Sequence, residues 1–152
     1  MRQLIGDEAF FKAVKRLLYG TENPTPENIA PRFANTQEFI EIVNDVSNRD
    51  LQWFFDTYVF NAKLPSLRVN RTDTAIKFEW QTVNNIAFPM PLELKVNGVM
   101  RTLDINQSNQ LTVNRSDIVI VDPNSKILRE EDYISRYQKE QEELAELKEA
   151  SN

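Results

Sequence analysis

Histidine and cysteine are both missing from the 152-residue sequence. Without cysteine the chain has no disulfide bonds, no thiolate metal ligands and no cysteine nucleophile. Without histidine it lacks the imidazole ligands on which most catalytic zinc sites depend. These two absences exclude a self-contained zinc peptidase and predict that the chain binds no metal.

Long apolar runs are also missing, since none approaches the roughly 20 residues that a helix needs to cross a bilayer. We therefore expect no membrane span. Residues 1–20 lack the apolar stretch and small-residue cleavage site of a signal peptide. The sequence does not decide between a cytoplasmic and a periplasmic location.

Basic clusters are scarce as well. The net charge is −5, and residues 130–152 hold eight of the 23 acidic and three of the 18 basic side chains, which leaves fifteen of each sign elsewhere. A nucleic-acid binder needs a basic stripe that displaces counterions from phosphates. We expect no nucleic-acid partner.

Helical periodicity covers the first part of the chain. Residues 7–18 carry one apolar face, and Asp7 and Gly20 are the predicted N-cap and C-cap. The residues of that face are Phe10, Phe11, Val14, Leu17 and Leu18. Asn35 with Glu38 forms a capping-box pattern before a second helix that should end near Asp45.

A third helix is predicted from the start signal of Ser47 and Asp50 to a point before Pro65. Beyond Pro65 the apolar period changes from 3.6 to 2, which is typical of half-buried strands. The located strands are residues 76–80, 88–96, 99–105, 111–113 and 118–121, closed by a turn at 122–124. Asn97-Gly98 between two of them predicts a type I′ hairpin.

Pro89 and Pro91 cannot donate to a sheet, so their strand should lie at an edge or start irregularly. About six short antiparallel strands predict a small β-sandwich. The fold class is therefore α+β: a helical block (1–64), a β-sandwich domain (65–129) and an acidic C-terminal helix or tail (130–152). That last helix has only a thin apolar stripe.

The tryptophans and paired carboxylates all have structural interpretations. Trp80 shares strand parity with apolar residues, so a core role is favoured over ligand stacking. Trp53 falls beside the main stripe of its helix, where partial burial against a neighbouring domain is favoured. The pairs Asp7/Glu8 and Glu130/Glu131 sit at predicted helix N-termini, where they complement the dipole.

Short motifs recur in a fixed order along the chain. They are Leu4–Phe10, Thr36–Phe39, Ser47–Leu51 with Phe54-Phe55, Leu64-Pro65, Phe88–Leu92 and Val121–Asn124. In order and spacing they resemble the C-terminal part of M1-family zinc aminopeptidases, of the gluzincin group. Two positions depart from that pattern: Asn48 stands where glycine is usual, and Tyr58 where tryptophan is common.

The resemblance implies that this stretch is non-catalytic. Family members bind zinc through H-E-x-x-H plus a downstream Glu and stabilise the oxyanion with a Tyr, all upstream of the matching stretch. No catalytic or metal-binding residue carries over, substrate-binding residues are unknown, and Tyr19 does not match the proton-donor position. The cofactor would be zinc in the parent enzyme, with none in this fragment.

The predicted role is structural support for an aminopeptidase that removes N-terminal residues from peptides. The implied partners are the upstream catalytic domain of the same polypeptide and, for the parent, a peptide substrate. Self-association of the chain through its first helix is also expected. Two alternatives stay open: a stand-alone protein-interaction module, and a histidine-free hydrolase that uses paired carboxylates.

Overall fold

The computed structural model describes residues 1–29, 32–105 and 109–131. It contains helices and two small antiparallel sheets, which confirms the predicted α+β class. The chain divides into two compact units, Met1–Phe60 and Asn61–Asn152.

The described part of the first unit contains four helices. They are α1 (Arg2–Ile5), α2 (Asp7–Tyr19), α3 (Thr36–Ser47) and α4 (Gln52–Tyr58). Their inward faces form one core, against which Phe39 of α3 and Trp53 of α4 pack while partly buried. Its buried members are Ala13, Ile40, Ile42, Val43, Leu51 and Phe55.

The ends of α2 show where local signals succeed and where they miss by one residue. Gly20 adopts the left-handed conformation with φ of 72° and donates its N–H to the Arg16 carbonyl, as a C-cap. Asp7 is not the N-cap, because Gly6 with φ of 83° takes that position. α1 ends at Ile5, so a glycine is needed to turn the chain between the two helices.

The cap of α3 is confirmed: the Asn35 side chain accepts a hydrogen bond of 2.9 Å from the Glu38 N–H. The helix runs past Asp45 to Ser47, whose hydroxyl donates to the Val43 carbonyl. Ser47 therefore belongs to α3 and does not start the next helix. The N-cap of α4 is Leu51, which makes no side-chain cap hydrogen bond, and the Asp50 carboxylate just before it accepts the Gln52 N–H at 3.0 Å.

The second unit holds two three-stranded antiparallel sheets, in the orders β1-β2-β5 and β4-β3-β6. The strands are β1 (Ser66–Arg71), β2 (Ala75–Gln81), β3 (Leu92–Val96), β4 (Val99–Leu103), β5 (Gln110–Thr112) and β6 (Val119–Val121). Both sheets contribute to one core. Its buried members are Ile76, Phe78, Leu92, Leu94, Val96 and Val113.

The β3–β4 turn has the predicted geometry. Asn97 and Gly98 have φ of 49° and 87°, as a type I′ turn requires. β4 ends at Leu103, two residues before the predicted end of the return strand.

The two prolines give their strand an irregular start and do not place it at an edge. Residues 88–91 lie outside β3, which begins at Leu92 and occupies the centre of its sheet. Phe88 and Met90 are nevertheless buried, and the indole N–H of Trp80 donates to the Met90 carbonyl at 3.1 Å. The proline segment thus packs through side chains and one side-chain bond instead of ladder hydrogen bonds.

Both tryptophans are half-buried. Trp80 packs against the core shared by the two sheets, consistent with its predicted core role. Trp53 packs against the core of its own helical unit and meets Phe54 edge to face at 6.0 Å.

Strand β1 has no counterpart among the strands located by pattern. It pairs with β2 along its length, from Ser66 opposite Gln81 to Arg71 opposite Ile76. Only Leu67 and Val69 are apolar in its sequence, and most of the strand is exposed. An edge strand with one half-buried face leaves too weak an alternation to detect.

The predicted C-terminal helix falls mostly outside the described residues, which end at 131. Glu130 is not helical: it forms a parallel bridge with Ser66, and its N–H donates to the Pro65 carbonyl at 2.9 Å. Glu131 pairs with Arg129 at 2.9 Å. Glu130 thus contacts the start of β1 through its backbone and the Glu131 carboxylate pairs with Arg129, so the predicted position of this pair at a helix N-terminus is wrong.

Candidate functional site

The N-terminal half of α2 borders an open surface depression of about 450 Å³. One aromatic ring and a set of mixed charges line it. The lining residues are Asp7, Glu8, Phe11, Lys12, Lys15, Glu22 and Asn23.

Several of the charges around this depression form ion pairs. The Lys12 ammonium lies 3.1 Å from the Glu22 carboxylate, and Arg16 lies 3.7 Å from the same carboxylate. Arg16 also forms an ion pair with Asp45 of α3. The network therefore stabilises the packing of α2, its following loop and α3.

Asp7 also lines the depression, and Arg2 of α1 binds its carboxylate. The guanidinium donates through Nε and Nη2 to the two carboxylate oxygens at 2.8 and 2.7 Å. This bidentate hydrogen bond lowers the pKa of Asp7, and the positive charge of Arg2 adds to the effect. Asp7 and Glu8 lie in the first turn of α2, where the dipole interpretation placed them.

Arg32 binds the C-terminal end of α2. Its Nη1 donates to the Arg16 carbonyl at 2.6 Å, and its Nη2 pairs with Glu38 of α3. It therefore satisfies a carbonyl of the last turn of α2 while it holds the first turn of α3. Sequence reasoning missed this residue, because a contact sixteen positions away leaves no periodic signal.

The apolar face of α2 is only partly covered. Within this helix, which the structure describes in full, Ala13 is the one fully buried residue. Phe11 and Leu18 are 48% and 56% exposed, and Arg2 lies over the Phe11 ring at 5.1 Å from its centroid. These two side chains form, with the half-buried Val14, what we call the α2 patch. It contains three of the five residues of the predicted apolar face, whereas Leu17 packs against the core of this unit.

A buried carboxylate anchors the closing turn of the second unit. Asp122 accepts the N–H groups of Lys126 and Ile127 at 2.9 and 3.1 Å and pairs with Arg129 at 2.8 Å. Its side chain is 1% exposed and that of Arg129 13%. All of these bonds are used within the turn, so the arrangement is structural. The sequence pattern predicted this turn but not that the Asp122 carboxylate is buried.

Neither a metal site nor a membrane helix is found among residues 1–29, 32–105 and 109–131. No group of three or more carboxylates, histidines or cysteines there could hold a metal ion. No helix in those ranges is long and apolar enough to cross a bilayer.

No family model matches the chain, and no curated protein matches it in sequence. Among solved structures the chain is similar to the crystal structure of Legionella pneumophila aminopeptidase A in complex with aspartic acid. The two share 23% identity with a TM-score of 0.44, over 80% of this chain and 14% of that chain. The chain thus spans a small part of the length of that aminopeptidase, and a likeness at this level assigns neither family nor activity.

Proposed function

We propose that this chain is the non-catalytic C-terminal region of an M1-type zinc metallo-aminopeptidase. In this proposal it supports the upstream catalytic domain of the same polypeptide, which removes N-terminal residues from peptides. The zinc, its ligands and the general base belong to that upstream domain, because a chain without histidine cannot supply an H-E-x-x-H motif.

The positions in the structure of the residues that carry the resemblance support this proposal. Several of the motif residues lie in the core of one unit or the other or anchor a turn: Leu51, Phe55 and Pro65 are fully or almost fully buried, and Asp122 anchors the closing turn. Core positions of this kind are constrained by packing. The resemblance at these positions concerns architecture, which is the role proposed for this chain.

The α2 patch is the observation on which the proposal depends most. Phe11 and Leu18 are each about half exposed. Within α2, all of whose residues the structure describes, only Ala13 is fully buried. Covering such apolar surface contributes about 25 cal/mol per Å². In the proposed enzyme an upstream helical surface covers this patch.

The first test is chemical. The purified chain should bind no zinc in stoichiometric amount and should not cleave chromogenic aminoacyl substrates. Elemental analysis and an aminopeptidase assay measure both properties. One tightly held zinc per chain, or turnover that survives chelation and repurification, would contradict the proposal.

The second test is genetic and biochemical. The reading frame upstream of Met1 should encode H-E-x-x-H followed by the third zinc ligand, and the polypeptide encoded there should gain activity when this chain is added. A chain with Phe11→Glu and Leu18→Glu should restore much less activity. Ile120→Glu is the matched control, because Ile120 is 48% exposed in the other unit. An upstream frame without the motif would refute the proposal.

The alternative is a stand-alone protein-interaction module without enzymatic activity. The outer face of the β4-β3-β6 sheet favours it, because Met100 and Ile120 flank Lys95 in register and are 47% and 48% exposed. In that case Ile120→Glu would abolish partner binding, while substitutions in the α2 patch would have no effect on it.

A further inference from the structure

The Asn97-Gly98 turn is bound to the start of β6 by three hydrogen bonds. The Asn97 side-chain amide donates through Nδ2 to Asp117 Oδ1 at 2.9 Å and accepts the Ile118 N–H through Oδ1 at 2.9 Å. Its backbone N–H donates to the Ile118 carbonyl, also at 2.9 Å. Both the nitrogen and the oxygen of the Asn97 side-chain amide are thus hydrogen-bonded, although the residue is exposed to solvent.

We propose that Asn97 is a deamidation site whose reactivity is controlled by the fold. While the turn is bound to Asp117 and Ile118, the asparagine is protected. When the β3–β4 hairpin opens, it converts to aspartate or isoaspartate.

The reaction needs only the chain and water. The Gly98 backbone nitrogen attacks Cγ of Asn97, a new C–N bond closes a cyclic imide, and the Cγ–Nδ2 bond breaks. Ammonia leaves and carries away the proton lost by the Gly98 nitrogen. Water then adds to either imide carbonyl and opens the ring, which gives aspartate or isoaspartate.

The following residue makes Asn97 the most reactive asparagine of the sequence. It is the only asparagine followed by glycine. A side chain at the next position hinders approach of the nitrogen to Cγ, and Gly98 has none. The same dipeptide is favoured because both residues take positive φ in a type I′ turn, so the turn chemistry and the reactivity have one origin.

The folded turn opposes the reaction in two ways. The bonds to Asp117 and Ile118 fix the amide plane, and the hairpin fixes the backbone dihedrals that must rotate to bring the Gly98 nitrogen to Cγ. Reaction therefore requires local opening, whose free energy sets the degree of protection.

The product would not restore the original turn. Hydrogen bonds from the Asn114 N–H and the Asn97 amide lower the pKa of Asp117, so its carboxylate is ionised at neutral pH. Aspartate at position 97 would place a second negative charge where the amide now donates. Like charges at this distance repel, so the side-chain bond from position 97 to Asp117 would be lost and the turn weakened.

The test compares the folded chain with the chain unfolded in urea, both held in mildly alkaline buffer. Peptide mapping by mass spectrometry that resolves aspartate from isoaspartate gives the rate at each asparagine. Asn124, followed by Ser125, is the internal control. In urea Asn97 should react faster than Asn124. In the folded chain the rate at Asn97 should be at most about one tenth of its rate in urea, because the hairpin must open before the reaction.

Asp117→Ala should speed the reaction at Asn97 in the folded chain and leave the rate in urea unchanged. Asp73→Ala, at an exposed aspartate near the same loop, should change neither rate. Equal rates in folded and unfolded chains, or a rate in urea no higher than that of Asn124, would overturn the proposal. If circular dichroism shows that Asp117→Ala does not fold, the comparison of folded and unfolded wild-type chain decides alone.

Discussion

At the scale of single residues, Asp122 shows how a charge can be buried without cost in unmet hydrogen bonds. Two backbone N–H groups and the Arg129 guanidinium surround its carboxylate, and its own N–H donates to the Glu93 carbonyl at 2.8 Å. Removal of one partner from such a cluster leaves the others buried and unmatched, which costs more than the pair contributes.

Asp122→Ala should therefore lower the free energy of unfolding of the second unit by about 3 kcal/mol. Asp122→Asn should cost less, since an amide oxygen still accepts and asparagine tolerates the positive φ of this position. Urea denaturation measures both. Asp73→Asn, at a 78% exposed side chain, is the control and should stay within about 0.5 kcal/mol of wild type. A loss as small as the control's would contradict the structural role of Asp122.

Asp7 gives a pH-dependent prediction. Its pKa is lowered by the Arg2 hydrogen bonds, so the folded-state pKa lies below the unfolded-state value. The pair then stabilises the fold above the unfolded-state pKa, and that stabilisation is lost as the pH falls through the folded-state pKa.

Arg2→Gln should raise the pKa of Asp7 toward its ordinary value, and Arg2→Lys should raise it less, because lysine keeps the charge but not the bidentate fork. A carboxyl NMR titration follows the change. Arg68→Gln, in the other unit, serves as the control and should leave the pKa of Asp7 in place. An unchanged pKa in Arg2→Gln would mean that the pair does not form in solution.

At the scale of secondary structure, the cap of α3 is the clearest local signal. Asn35 closes the first turn through one side-chain hydrogen bond to the Glu38 N–H, and the sequence pattern alone located it. The start of α4 is less clear from the sequence, because Ser47 and Asp50 both resemble caps, yet Ser47 lies within α3 and the N-cap of α4 is Leu51.

Asn35→Ala should destabilise the first unit by about 1 kcal/mol, whereas Asn35→Asp should be close to wild type. The midpoint of urea denaturation, followed by far-ultraviolet circular dichroism, measures the difference. Gln37→Ala, at an exposed position in the first turn of the same helix, is the matched control. Equal effects at positions 35 and 37 would show that capping contributes nothing here.

At the scale of the whole molecule, each unit has its own core, and the α2 patch leaves part of the predicted apolar face exposed. Phe11 and Leu18 are 48% and 56% exposed, and contiguous exposed apolar surface favours association. The assignment of residues 1–64 to the end of a peptidase catalytic domain stays a prediction.

The isolated chain should self-associate or bind a hydrophobic dye through the α2 patch. Phe11→Glu or Leu18→Glu should reduce whichever is seen, because a charge on the patch must be desolvated on association. Analytical ultracentrifugation and dye fluorescence measure the two properties, with Ile120→Glu as the control. A monomer at high concentration without dye binding would favour the interaction-module alternative.

The sequence by itself determined most of the helices and strands and where several of them turn, although α1 and β1 were not predicted. The caps at Gly20 and Asn35 and the Asn97-Gly98 hairpin follow from contacts within a few residues, which local patterns record. Only the tertiary structure decided that β3 lies at the centre of its sheet, that β1 forms an edge, and that Asp122 is buried. Those outcomes depend on pairings between distant residues, such as Leu94 with Val121, whose energies no local period encodes.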